Sequence, residues 1–314
     1  MRQRPAPGPG RRLSRRGAIG LGLGGLAGIV AAGAAGTELV ASGVLPGHQL
    51  LDQIDGACTV AGPPLVFGTA GHSMSGTFYS AARRRRVGYT IAYPPGHGPG
   101  SRLPLIVALH AYGGNHRSAL AGMSLAGGLA LRVGGRPLPP MAIAAADGGG
   151  GYWNAHPGDD PMAMITDELI PRCQRLGLGT GHRSIGAFGI SMGGYGALLL
   201  AEKHPQMVAA VAAVAPAIWT SYAQARAVNP GAYASAAAFA ASDAVTHAPA
   251  LATVAVRVAS GLSDPFHPGV AALARALPPG AVVRFVPGCH TRSFFVAQEP
   301  PSLSFLGAHL AGRV

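Results

Sequence analysis

"RSIGAFGISMGGYGALLL" (183–200) joins two kinds of pattern across a single residue. Residues 184–190 are a short run of small and apolar residues, as in a strand buried on both faces. From Gly193 onward the stretch reads as a helix, ended by Pro205. Between them lies Gly189-Ile190-Ser191-Met192-Gly193, a G-x-S-x-G. A chain with 48 glycines produces that pattern by chance, so five residues decide nothing. The context does. Strand, sharp turn and helix are what a nucleophile elbow requires, with glycines at the turn and the serine left at the strand's carboxyl end.

The same alternation continues on either side. "GTFYSAA" (76–82) and "VGYTIAYPP" (87–95) read as antiparallel strands joined by a turn holding Arg83 to Arg86, expected to be solvated. "LPLIVALH" (103–110) and "MAIAAAD" (141–147) are further buried strands, with a helix-compatible stretch from about Ser118 to Val133 between them. "PMAMITDELIPRCQRL" (161–176) is helical, opened by Asp160 as cap and Pro161 in the first turn. Beyond the elbow helix come a strand at 207–217, another at 254–261, a helix at 268–277, a last strand at 281–288 and a closing helix from about Phe294. Strands alternating with helices predict an α/β fold: a mostly parallel central sheet with helices on both faces. Residues 219–249, rich in Ala and Ser, interrupt the alternation. They read either as a lid inserted over the strand ends or as a plain helical excursion.

A serine hydroxyl is a poor nucleophile without a base, and the base needs a carboxylate to orient it. In an elbow fold the three follow in the order Ser, acid, His, each just past a strand end. "VAVRVASGLSDPF" puts Asp264 past one later strand, and "AVVRFVPGCHTRSFF" puts His290 past the last. Among the 12 histidines, His267 ranks second because it opens a helix, and His247 third. Asp243 reads as a helix cap, and Asp167 and Glu168 as solvated or capping groups. Acyl transfer also requires two donors for the oxyanion. One is the backbone N–H of Met192. The other is expected from "LIVALHAYGGNH" (105–116), at Tyr112, with Ala111 next. "DGGGGYWNAHPGDD" (147–160) follows another strand, so Tyr152, Trp153 and His156 are candidates for the substrate pocket, with Phe294. His156 beside Asp159 and Asp160 lacks a third well-placed ligand, and neither a metal nor a cofactor is expected.

Composition bounds the remaining readings. Apolar residues make up 48% and charged ones 11%, ample for a core. The net charge of +12 suggests nucleic acid until it is located: six arginines, Arg2 to Arg16, precede the first acidic residue, Glu38. Without a reader motif, nucleic-acid binding is not expected. "RRLSRRGAIGLGLGGLAGIVAAGAAG" (11–36) resembles a twin-arginine export signal or an uncleaved membrane anchor. Its Gly20-x-Gly22-x-x-Gly25 lacks the preceding strand that a dinucleotide fingerprint needs. The chain is thus read as a leader and linker (1–45) and a catalytic domain (46–314), exported and then released or held at the cell envelope. Of three cysteines at least one is unpaired or bonded to another chain. Cys58 with Cys289 is one pairing to consider, and Cys173 is expected as a buried thiol.

These motifs resemble the esterase D and S-formylglutathione hydrolase-like α/β-hydrolases, a group that includes secreted feruloyl esterases and mycolyltransferases. The likeness runs from about Gly76 to the carboxyl terminus. It rests on the early strand pair, "ALHAYGGN", the Trp-containing loop with its "TDELIP" helix, "GISMGGYGA", "SGLSDPF" and "GCHTRSFF". The resemblance implies Ser191 as nucleophile, His290 as base, Asp264 as the acid, Met192 and Tyr112 as oxyanion donors, and Phe294 and Phe295 as the aromatic pair after the base. "HAY" departs from the more usual His-Gly or Asp-Gly, and the thiol of some formylglutathione hydrolases has no counterpart. The expected activity is hydrolysis of a small-molecule or lipid ester through an acyl-enzyme. Its rivals are acyl transfer to a sugar and a catalytically silent envelope-binding protein.

Overall fold

The computed structural model describes residues 58, 67–120 and 124–313. The leader and anchor read at 1–45 lie outside them. Eight strands form one sheet in the order β1-β2-β6-β3-β7-β8-β9-β10. β1 (Ser73–Ser80) and β2 (Arg85–Ala92) form an antiparallel hairpin whose inner strand pairs antiparallel with β6 (Ala142–Ala146). From β6 onward every pairing is parallel, through β3 (Leu105–Leu109), β7 (Ile185–Ile190), β8 (Val208–Val214), β9 (Ala255–Gly261) and β10 (Val282–Val286). This is the α/β-hydrolase architecture.

The continuous apolar runs are explained by what covers each face. Successive side chains of a strand point to opposite sides. On β3, Leu105, Val107 and Leu109 enter one core while Ile106 and Ala108 enter the other. On β6, Ala142, Ala144 and Ala146 face the first core and Ile143 and Ala145 the second. The first core is closed by the helical run from Pro161 to Gln174 and by the helices Met192–Lys203 and His267–Ala276. The second is closed by the helices His116–Leu120, Leu125–Gly128 and Arg292–Leu310. A parallel sheet sheathed on both sides has no polar face to show, so alternation vanishes from the sequence.

Several expectations need correction. The stretch 118–133 is not one helix. Helix Leu125–Gly128 is entered from Ser124 at φ 61°, and a separate strand β4 (Arg132–Val133) pairs antiparallel with β5 (Arg136–Pro137). Glycines 127 and 128 weaken a helix of only about one turn. The arginine run is not simply a solvated turn. Arg85 and Arg86 belong to β2, and Arg83 is buried with its guanidinium on Asp159 (Nε–Oδ1 2.6 Å) and on the Asp147 carbonyl. Glu168 is not free in solvent either, because its Oε1 accepts from the N–H groups of Ala81 and Ala82 in the same turn. The Asp160 cap forms as read, accepting from Met162 and Ala163. The run that follows passes through a π-helical segment, Met164–Leu169.

Residues 219–249 hold three short helices, Tyr222–Val228, Ala236–Ala240 and Ala244–His247. They are seated by aromatic contacts (Tyr233 with Tyr152, Tyr195 and Phe239) and by a Tyr195 hydroxyl bond to the Ser242 carbonyl. Cys58 is bonded to Cys289, and Cys173 is a buried free thiol in the helix Ile170–Gln174. Among the described residues no helix is long and apolar enough to cross a membrane.

Candidate active site

Ser191, Asp264 and His290 stand at the carboxyl edge of the sheet, past the ends of β7, β9 and β10. Ser191 ends β7 in a backbone conformation (φ 56°, ψ −123°) that L-residues avoid. Three bonds hold it there: Ser191 N–H to the Val214 carbonyl at 3.0 Å, and the N–H groups of Ala217 and Tyr195 to the Ser191 carbonyl, each at 3.0 Å. The glycines are dictated by backbone proximity. A Cβ on Gly193 would lie 1.9 Å from the Leu109 carbonyl oxygen, and one on Gly189 would lie 2.0 Å from that of Gly193. No side chain fits at either position, so the helix Met192–Lys203 can press against the sheet and present the serine.

His290 follows β10, and its Nε2 lies 2.8 Å from Ser191 Oγ. Its Nδ1 lies 2.8 Å from Asp264 Oδ2. Asp264, whose side chain is fully buried, uses its other oxygen to accept the Phe266 N–H at 2.8 Å, so the carboxylate cannot turn. The imidazole is clamped between Phe266 (5.3 Å between centroids) and Phe295 (4.9 Å). With Asp264 on Nδ1, the bare Nε2 faces the serine hydroxyl. That is an arrangement able to withdraw a proton as the oxygen attacks.

The other histidines and acids considered lie elsewhere. His267 starts the helix His267–Ala276 and packs edge-on against Phe285. His247 bonds the Asp243 carbonyl, and Asp243 caps the helix Ala244–His247. Asp167 accepts from Thr166. His156 bonds the Gly151 carbonyl and pairs through its backbone with Asp159, while Asp159 is engaged by Arg83 and Arg85. Arg83 holds the Asp159 carboxyl below its ordinary value against the opposing effect of burial. Among the described residues no cluster of His, Cys, Asp and Glu could hold a metal ion.

A cavity of about 290 Å³ opens beside the elbow, lined by residues 108–114 together with Ser118, Ala119, Phe188, Ile190 and Phe295. Ala111 and Tyr112 line this cavity, and Tyr112 is 63% exposed. Trp153, His156 and Phe294 are not part of this lining. Trp153 is fully buried, 2.5 Å from where a Cβ of Gly196 would stand, and supports the elbow helix from beneath. Phe294 is buried against Gly288, and its neighbour Phe295 reaches both His290 and the cavity. The helix begins at Arg292, capped by Thr291, and that phase decides which phenylalanine faces in. His110 was not singled out from sequence, yet it is buried behind the Ala111–Gly114 loop with both ring nitrogens bonded.

Residues 144–276 match a family model described as putative esterase, a span that includes Ser191 and Asp264 and stops short of His290. No curated protein matches the sequence. Solved structures share the fold at low identity. A ferulic acid esterase superposes with a TM-score of 0.65 at 17% identity, covering 78% of this chain and 100% of its own. An S-formylglutathione hydrolase from Agrobacterium tumefaciens gives 0.61 at 18%, covering 79% and 98%. A fluorophosphonate-binding serine hydrolase from Staphylococcus aureus gives 0.59 at 13%, covering 76% and 99%. Family match and fold agree with the resemblance drawn from the sequence and with a carboxylic ester hydrolase.

Proposed function

We propose that the protein is a serine carboxylesterase that works through an acyl-enzyme, with Ser191 as nucleophile, His290 as base and Asp264 as its orienting partner. The observation that carries this reading is the unbroken line of 2.8 Å contacts from Asp264 through His290 to Ser191, mounted on a strained elbow. Ser191 Oγ attacks the ester carbonyl while its proton passes to His290 Nε2. The Asp264 carboxylate stabilises the imidazolium that results. Negative charge on the carbonyl oxygen is met by two backbone donors. Met192 heads a helix whose first N–H groups have no intrahelical acceptor, and Tyr112 supplies the second from the facing loop. His290 then returns the proton to the departing alkoxide, and water repeats the sequence to release the acid.

The cavity beside the elbow is walled chiefly by Ala108, Leu109, Ala119, Phe188, Ile190 and Phe295, which suits an apolar acyl group rather than a charged one. Export remains part of the proposal. It is supported by the basic-then-apolar leader and by the Cys58–Cys289 disulfide, a bond that persists in oxidising compartments. Mass analysis of protein recovered outside the cytoplasm of expressing cells tests this, and retention inside would count against it.

Hydrolysis of p-nitrophenyl esters from acetate to palmitate, wild type beside Ser191→Ala, tests the chemistry. Wild-type turnover with a loss on the order of 10⁶ in kcat for the variant is the expected result. Equal rates in the two proteins would remove Ser191 from the mechanism.

A further inference from the structure

The geometry points to His110 as a positioning residue that holds the Tyr112 N–H toward the oxyanion, an inference that rests on the esterase reading above. The Ala111 carbonyl oxygen is gripped twice, by His110 Nδ1 at 2.8 Å and by the Gly114 N–H at 2.9 Å. Carbonyl and following N–H belong to one planar trans peptide and point in opposite directions. Fixing the Ala111 oxygen on the protein side therefore aims the Tyr112 N–H away from it, toward the cavity that both residues line. The loop needs such a grip. It continues through Gly113 at φ 72° and Gly114, and Tyr112 itself is largely exposed.

The ring's protonation state is dictated by its surroundings. The Gly148 N–H donates to His110 Nε2 at 2.8 Å, so that nitrogen carries no proton and the ring hydrogen lies on Nδ1, directed at Ala111. An imidazolium would set N–H against N–H at Gly148. Burial pushes the His110 pKa down, partly offset by the hydrogen bond to the Ala111 carbonyl and by Asp147, while Arg83 and His116 push the same way as burial. The ring packs against Trp153 at 5.0 Å between centroids, and the indole N–H bonds the His110 carbonyl at 3.4 Å. Gly148 has to be glycine for this, since a Cβ there would meet the indole at 2.3 Å. The result is a neutral imidazole used as a fixed strut between the β6 loop and the β3 loop.

Two substitutions divide the strut. His110→Asn keeps a donor where Nδ1 stands but loses the acceptor for Gly148. His110→Gln keeps an acceptor where Nε2 stands but loses the donor to Ala111. Oxyanion contacts act in the transition state, so the effect belongs in kcat rather than KM. His110→Gln is expected to lose on the order of 100-fold in kcat with KM within about twofold, the scale of a displaced oxyanion donor. His110→Asn is expected to stay within about fivefold of wild type. Ring-nitrogen NMR of the full chain at neutral pH is expected to find Nδ1 protonated and Nε2 bare. Equal kcat in the Asn and Gln variants, each folded by circular dichroism, overturns the inference and leaves the esterase reading intact, as does an Nε2-protonated ring. A wild type that neither hydrolyses esters nor labels at Ser191 with a fluorophosphonate overturns both.

Discussion

Ser191 is held in a conformation that costs about 1–3 kcal/mol, and the bonds from Ala217 and to Val214 maintain it. Removing the side chain removes that cost. Ser191→Gly is therefore expected to unfold at higher denaturant, by about 1 kcal/mol, while losing all turnover. A less stable Ser191→Gly protein would mean that the elbow is not strained. Asp264 gives a second prediction at this scale. Its buried carboxylate fixes the proton on His290 Nδ1. Asp264→Asn keeps the shape but favours the wrong tautomer, so kcat is expected to fall on the order of 10⁴-fold. Stopped-flow measurement at saturating ester would show it, and a loss confined to KM would assign Asp264 to substrate binding instead.

At the scale of elements, the corner between β1 and β2 shows how a run of like charges can hide structure. Arg83 is buried on Asp159 and the Asp147 carbonyl, while Arg86 is exposed and, among the described residues, bonds only Thr77. Asp147 in turn accepts from the N–H groups of Gly88 and His116, so one carboxylate joins β2 to the helix His116–Leu120 that follows the Ala111–Gly114 loop. Breaking a buried ion pair leaves an uncompensated charge. Arg83→Met is expected to cost about 3 kcal/mol, and Arg86→Met no more than about 0.5 kcal/mol. Matched urea titrations decide it, and equal midpoints would place Arg83 in solvent. The Cys58–Cys289 bond acts at the same scale, because Cys289 immediately precedes His290.

The whole molecule carries an unusual pair of carboxyls, one on each side of the sheet. Glu202 in the helix Met192–Lys203 and Glu299 in the helix Arg292–Leu310 are buried and, among the described residues, neither oxygen of either has a hydrogen-bond partner. Burial pushes each up to about 8 from 4.5, with Asp243 adding to the effect at Glu202. A carboxyl whose folded value lies above its unfolded value binds its proton more tightly when folded. Stability is then highest below the unfolded value, falls as pH rises from about 4.5 to 8, and levels off above that window. Gln at either position has no charge to bury. Glu299→Gln is expected to match wild type in unfolding free energy at low pH and exceed it by about 4 kcal/mol near pH 8. A constant difference across the window would show that the carboxyl does not titrate on unfolding.

Much of this protein was written along the chain. The strands β3, β6, β7 and β8 were legible as apolar runs because a sheet covered on both faces gives every residue a core to enter, and such runs obey one-dimensional rules. The elbow was legible because Gly189 and Gly193 sit where backbone passes within 2.0 Å of any added carbon. The order Ser191, Asp264, His290 followed from strand ends, and the three are joined by 2.8 Å contacts. Other features depended on what the folded chain brings near. Helix phase chose Phe295 over Phe294, and a partner 76 residues away turned Arg83 from a surface charge into a buried one. The helix expected over 118–133 broke where glycines met too short a span. His110 became visible only through Gly148, on another strand's loop. Patterns set by the backbone's own period are local and can be read in order. Side-chain direction and charge pairing are decided by neighbours distant in sequence, and those exist only once the chain has folded.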